Sequence, residues 1–235
     1  MINLSKRVAL LLAGSALFAG VVSTGNPAAA AVSVDSSLYC SAGADATINS
    51  DTSAEMLSTS NVDLTIDGSL YQSSDCYGAF PATPAAAAEE ADINAIWGGG
   101  FTLLAKSDEP AAGSLLDGVD FDLTADEVVS GNWTVSWDDT GGVLPFTVDF
   151  AVLLNSGTSA ATYLLESVGI PTSPTSGSGT FTIAFDNPGG RIGDLSHLSL
   201  AAKITDTPHI PVPASFLLFG AGLLGLGLGA RRYRQ

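Results

Sequence analysis

Residues 32–205 of the 235-residue chain predict an all-β fold, an antiparallel β-sandwich of jelly-roll or immunoglobulin-like kind with one short helix. Two observations predict it. Apolar residues recur at every second position in a series of short segments, with mostly Asp, Thr and Ser on the opposite parity, which is the mark of strands with one buried face. Gly- and Pro-rich stretches separate the segments, at Gly98-Gly99-Gly100, Gly141-Gly142, Pro171 to Gly179 and Pro188-Gly189-Gly190, and such stretches punctuate rather than continue regular structure.

In chain order, the alternating segments are Val62-Leu64-Ile66, Phe101-Leu103-Ala105, Val119-Phe121-Leu123, Trp133-Val135-Trp137, Phe146-Val148-Phe150-Val152, Phe181-Ile183-Phe185 and Leu198-Leu200-Ala202, with Tyr163-Leu164-Leu165 as a further strand. About eight short strands fit two packed sheets. One helix is expected near residue 85: Thr83 caps it, Pro84 opens it, Ala85 to Ala88 propagate it, and Ile93, Ile96 and Trp97 form its apolar stripe.

Charge is distributed unevenly. The stretch from Val32 to His209 holds all 24 acidic residues against Lys106, Arg191 and Lys203, a net charge of −21. Binding to nucleic acid or to an anionic membrane surface needs a basic face and is excluded on that ground. The positive mean hydropathy of +0.34 comes from the two ends, where the remaining basic residues also lie.

Residues 1–31 read as a signal peptide. Lys6 and Arg7 precede an apolar run from Val8 to Val22, and the alanines from Ala28 onward offer A-x-A sites for signal peptidase after Ala30 or after Ala31. Export leads to an oxidising compartment, where the two cysteines, Cys40 and Cys76, are most simply joined in one disulfide. Closing that loop stabilises the fold by roughly 3–4 kcal/mol on the chain-entropy model.

The C-terminal segment, 206–235, has three parts: a box at 210–214 (Ile210, Pro211, Val212, Pro213, Ala214), an apolar span at 215–230, and a basic end at 231–235 with Arg231, Arg232 and Arg234. As a helix the span covers about 24 Å, short of the roughly 30 Å hydrocarbon core, and its five glycines weaken it further. The expectation is a marginal transmembrane helix, with the arginines held in the cytoplasm and the acidic domain outside.

This tail resembles the PEP-CTERM sorting signal of Gram-negative bacteria, in its proteobacterial VPxPA-type variant, although Val212 stands where the name-giving glutamate would be. The resemblance implies recognition by an exosortase, a membrane transpeptidase-like protease that cuts near the box. The precursor then sits in the inner membrane through the sorting helix, and the mature form reaches the cell surface or the extracellular space. The mature region is also similar to a recurrent type of exported protein with this tail. The similarity rests on Cys40 and Cys76, the Trp97–Asp108 block, Gly131–Val135, Tyr163–Leu165 and Gly189–Leu200. The Gly-Asn-Asp turn common after the second cysteine is replaced by Tyr77-Gly78-Ala79. No activity attaches to that type.

No catalytic residue is expected. Asp139-Thr140-Gly141 matches an aspartic-protease triplet, but a dyad needs two such loops, and the residues suit a hairpin turn after Trp137. His197 alternates with Leu198 and Leu200 and so is expected on a polar face, and His209 lies in the tail; no G-x-S-x-G or H-E-x-x-H occurs. No cofactor is expected either. Calcium is the alternative to weigh, because Asp63, Asp67, Asp120, Asp122, Asp138 and Asp149 share the polar parity of strands and hard oxygen donors suit Ca²⁺. A solvated acidic face is preferred, since carboxylates two apart along a strand are nearly 7 Å apart at their bases.

The function expected is a non-enzymatic surface or extracellular-matrix protein. A calcium-assisted polysaccharide-binding module comes second, and would present exposed Trp or Tyr on a concave polar face. A secreted hydrolase comes third, and would place a buried carboxylate near His197.

Overall fold

A computed structural model describes residues 31–42, 57–109, 113–187 and 189–206. The expected signal peptide up to Ala30, the box with Pro211, Val212, Pro213 and Ala214, the apolar span and the basic end with Arg231, Arg232 and Arg234 lie outside the described residues. Among the described residues no helix is long and apolar enough to cross a membrane.

The strands are β1 (Asp63–Ile66), β2 (Ser69–Gln72), β3 (Asp75–Pro81), β4 (Thr102–Lys106), β5 (Val119–Ala125), β6 (Ser130–Asp139), β7 (Phe146–Ser156), β8 (Ser159–Ile170), β9 (Ser176–Thr182) and β10 (His197–Asp206). They form two five-stranded sheets, β2-β1-β9-β6-β5 and β3-β8-β7-β10-β4, and their pairings are antiparallel. The predicted sandwich is therefore the observed architecture. Its core lies between the sheets and includes Leu64, Phe121, Trp133, Trp137, Phe150, Tyr163, Phe181 and Leu200. The first sheet keeps the expected alternation: along β5, Val119, Phe121 and Leu123 are buried, while Asp120, Asp122 and Thr124 are exposed.

The second sheet departs from it. β7 from Phe150 onward and most of β10 are buried on both faces, because α1 (Ala86–Trp97) and the chain from Val32 to Tyr39 cover the outer face. A second apolar cluster forms there from Tyr77, Phe80, Ile93, Ile96, Phe101, Leu103 and Leu153. The helix begins two residues later than its sequence suggests. Ala85, not Thr83, is the N-cap, with no side-chain cap. After Trp97 the chain leaves through Gly98, Gly99 and Gly100 at φ of 84°, 86° and 86°, a left-handed run that side chains with a Cβ resist.

Two further strand assignments are corrected. The expected strand at Phe181–Phe185 runs instead from Ser176 to Thr182, through glycines that read as loop. Those glycines are needed for close packing: a Cβ on Gly179 would stand 2.5 Å from Trp133 Nε1, and one on Gly177 would stand 2.6 Å from Ile66. Strands β2 and β3 were not expected. β2 is an outer strand with little burial, and β3 has no alternation because both its faces are covered.

Candidate functional site

Helix α1 is anchored to the sheet by polar groups as well as apolar ones. On its inward face Glu89 is 1% exposed. Its Oε1 lies 2.6 Å from His197 Nε2, and its Oε2 accepts a 2.7 Å bond from Ser199 Oγ. Lys106 Nζ approaches Glu89 at 3.8 Å and Glu109 at 3.5 Å, and donates to the Pro84 carbonyl at 2.8 Å. On its other side His197 Nδ1 stands 3.6 Å from Asp108. Lys106, His197 and Ser199 are each buried. Three elements thus converge: α1 supplies Glu89, β4 and its following loop supply Lys106, Asp108 and Glu109, and β10 supplies His197 and Ser199.

The expectation that His197 projects from a polar face is overturned. His197 and Ser199 do lie on the parity opposite Leu198 and Leu200, but the helix covers that face. Glu89, Lys106 and Ser199 went unrecognised for the same reason. The available signal was Lys106 itself, one of three cations between residues 32 and 209, next to a helix that had to lie on some sheet.

This arrangement contains the buried carboxylate near His197 that a hydrolase would have. Its hydrogen bonds run otherwise than in a nucleophilic triad. There, the base accepts from the nucleophile and is oriented by the acid. Here the Ser199 hydroxyl donates to Glu89, and His197 Nε2 faces the same carboxylate. The carboxylate is the hub, and it holds the Ser199 hydroxyl, the His197 ring and the Lys106 ammonium, all on the sheet, against one helix turn. Two neighbours extend this anchoring: Glu90 Oε2 accepts from Leu103 N at 2.8 Å, and Asn94 exchanges bonds with both Phe101 N and Phe101 O. The outer backbone edge of β4 is thereby partly satisfied.

The other predicted positions are dispersed. Asp139 ends β6, and its carboxylate accepts from Leu144 N at 3.0 Å and Val143 N at 3.1 Å. The Leu144 amide leads in holding its carboxyl below the usual carboxylate range, opposed by burial and helped by the amides of Val143, Gly142 and Gly141. The turn it fixes is not a hairpin: β6 and β7 belong to different sheets, so Asp139-Thr140-Gly141 forms a corner between the layers.

Of the six aspartates weighed for calcium, Asp63 accepts from Thr180 N and Oγ1 at 2.8 and 2.9 Å. Asp149 accepts from Ser167 N and pairs with Lys203 at 3.6 Å. Asp120 and Asp138 face each other across β5 and β6 with Asp122 beside them, all three exposed. Among the described residues, no three acidic, histidine or cysteine side chains gather as a metal site.

Cys40 and Cys76 are joined in a disulfide. Trp133 and Trp137 are core residues, and Trp97 is half-buried, edge-on to Tyr39 with ring centroids 5.6 Å apart. None of them is the exposed stacking platform that a sugar-binding face would use. An open cleft of about 400 Å³ lies at one end of the sandwich, lined by Ile66, Asp67, Tyr71, Phe146, Gly169 and Pro171 among others. Tyr71 is the aromatic in it with a polar tip, and that hydroxyl accepts from Gly169 N at 3.3 Å.

The fold therefore defines an acidic, disulfide-bonded β-sandwich with a polar cluster buried between helix α1 and the second sheet. The sequence that follows it defines the destination: residues 209–234 match the family model of the PEP-CTERM protein-sorting motif. The chain carries that motif directly after β10, and the motif indicates a protein processed at its C-terminus and sorted by an exosortase to the cell surface. No curated protein and no solved structure matches the chain.

Proposed function

We propose that the protein is a non-catalytic component of the cell surface or extracellular matrix, exported by its N-terminal signal and cut near Pro213 by an exosortase. In this reading the precursor is held briefly in the inner membrane by the apolar span 215–230, with Arg231, Arg232 and Arg234 in the cytoplasm. The observation that carries it is the sorting motif placed after a sandwich in which Glu89, His197, Ser199 and Lys106 are engaged with one another. Two details support the absence of catalysis. Asp139 spends its carboxylate on the loop that follows it, and Ser199 is bonded to Glu89 rather than to His197. The acidic face then acts through repulsion, keeping a secreted protein soluble.

The cleft beside Tyr71 favours one second reading, a polysaccharide-binding module helped by calcium. Thermal melts separate the two. A solvated acidic face gains a small, non-saturating stabilisation from CaCl₂, MgCl₂ or NaCl at equal ionic strength. A calcium site instead gives a selective rise that follows RT ln(1 + [L]/Kd), about 2.7 kcal/mol at a hundredfold excess over Kd. The first result is expected; the second, joined by retention on a polysaccharide column that needs Tyr71, would replace the structural reading.

A further inference from the structure

Asp92, one helical turn after Glu89, is 6% exposed, and no basic side chain pairs with it among the described residues. Lys106 is engaged by Glu89, Asp108 and Glu109, and Lys203 by Asp149. The partner it does have is a backbone nitrogen near the start of the described chain: Val32 N donates to Asp92 Oδ1 at 2.6 Å. Burial raises the Asp92 carboxyl above its usual range, the Val32 amide opposes this, and the nearby Glu89 charge adds to it. A buried carboxylate with no cation is costly, and what is missing here is one positive charge at the position of Val32 N.

The chain from Val32 onward is fastened at several points. Val32, Leu38 and Tyr39 pack against the outer apolar cluster. Asp35 N donates to Tyr77 Oη at 3.0 Å, Tyr39 Oη donates to the Ile96 carbonyl at 2.6 Å, and Cys40 is tied to Cys76. Ala31, one residue earlier, is exposed. The alanine run allows a signal-peptidase cut on either side of Ala31, and the two cuts have different consequences. A cut before Ala31 leaves Val32 N as an amide and sets the new charge one residue away from Asp92. A cut after Ala31 makes Val32 N itself the new terminus.

We propose that signal peptidase cleaves between Ala31 and Val32, and that the α-ammonium so formed docks on Asp92 as a structural ion pair of the mature protein. Hydrolysis breaks the bond between the Ala31 carbonyl carbon and Val32 N. Water supplies the hydroxyl of the new Ala31 carboxylic acid and one hydrogen to the nitrogen, and the resulting amine takes a further proton from solvent. A bond in which only the carboxylate is charged becomes one between two opposite charges, at a site already built to hold the nitrogen. Removal of the leader thus completes the attachment of α1 to the strap over the sheet. The precursor, with only an amide there, keeps Asp92 uncompensated.

The test uses the exported protein. Its N-terminus, read by mass spectrometry, is expected at Val32. The native α-amine should react with an acylating reagent at least tenfold more slowly than the same protein unfolded in urea. Asp92→Asn should remove most of that protection, and Asp92→Glu should retain it. Should the Asn variant fail to fold, the wild type still decides the question through the pH dependence of labelling. The amine contacts Asp92 of α1; Glu89 lies near Asp92, and Lys106 of β4 and His197 of β10 contact Glu89, so the amine paired with Asp92 should titrate above the ordinary α-amino range of about 7.7–8.0. An N-terminus at Ala31 or elsewhere, an α-amine that titrates within the ordinary range, or equal labelling of native wild type and Asp92→Asn would each overturn the proposal.

Discussion

Replacing Glu89 by Ala is the sharpest perturbation of the interior. The substitution removes the acceptor for His197 Nε2 and for Ser199 Oγ and the nearest buried partner of Lys106 Nζ. Lys106, with its side chain 1% exposed, keeps the Pro84 carbonyl and the more exposed Asp108 and Glu109. Breaking a buried ion pair by removing one partner costs about 3–5 kcal/mol, and each orphaned neutral donor accounts for about 1–3 kcal/mol of such losses. For a domain of this size, 1 kcal/mol shifts Tm by about 2–4 °C, so the melting temperature should fall by about 6–20 °C. Urea unfolding should show a lower midpoint at unchanged slope. Glu166→Ala is the control, since Glu166 is exposed on β8 and should change stability by less than about 0.5 kcal/mol. Joint replacement of Glu89, Lys106 and His197 by apolar residues of similar volume should recover much of the loss, because it removes the charges together. An effect of Glu89→Ala below about 1 kcal/mol, or one no larger than that of Glu166→Ala, would refute the view that this network pins the helix.

Loss of the disulfide in Cys76→Ser opens a cross-link spanning 36 residues and should lower stability by roughly 3–4 kcal/mol, read by urea unfolding; thiol labelling of both cysteines in untreated native protein would contradict it. Asp139 has a lowered carboxyl pKa in the folded state, led by the Leu144 amide. Its contribution is therefore present above the ordinary carboxylate range and lost as pH falls through the folded value. Wild type and Asp139→Asn should accordingly differ in Tm near neutral pH and converge in acid, and a difference that persists unchanged in acid would count against the corner bond.

The first sheet was legible because it obeys one rule. In β5 and β6 one face is core and the other is water, so Val119, Phe121 and Leu123, then Trp133, Val135 and Trp137, announce themselves by parity. The second sheet was legible as strands but not as surfaces. His197 and Ser199 satisfy the same parity pattern as a solvated face, and only the helix packed over them turns them into interior. β9 was misplaced because Gly177 and Gly179 read as loop, whereas their missing Cβ atoms make room for Ile66 and for the Trp133 indole. Asp139-Thr140-Gly141 was correctly read as a turn, but local sequence does not say whether a turn returns to its own sheet or crosses to the other. Asp92 had no signal at all, since its meaning depends on a nitrogen 60 residues away. The sorting motif stood at the opposite extreme: box, apolar span and arginines are contiguous, so reading it required no tertiary information.

The central claim is that the tail is a processed sorting signal. The most direct measurement is the C-terminal mass of the extracellular protein, compared in cells with and without their exosortase. A C-terminus near Pro213 is expected in exosortase-containing cells, with residues 215–235 removed, and intact, membrane-retained precursor in cells lacking the enzyme. Recovery of extracellular protein ending at Gln235, or the same shortened product in both strains, would contradict it.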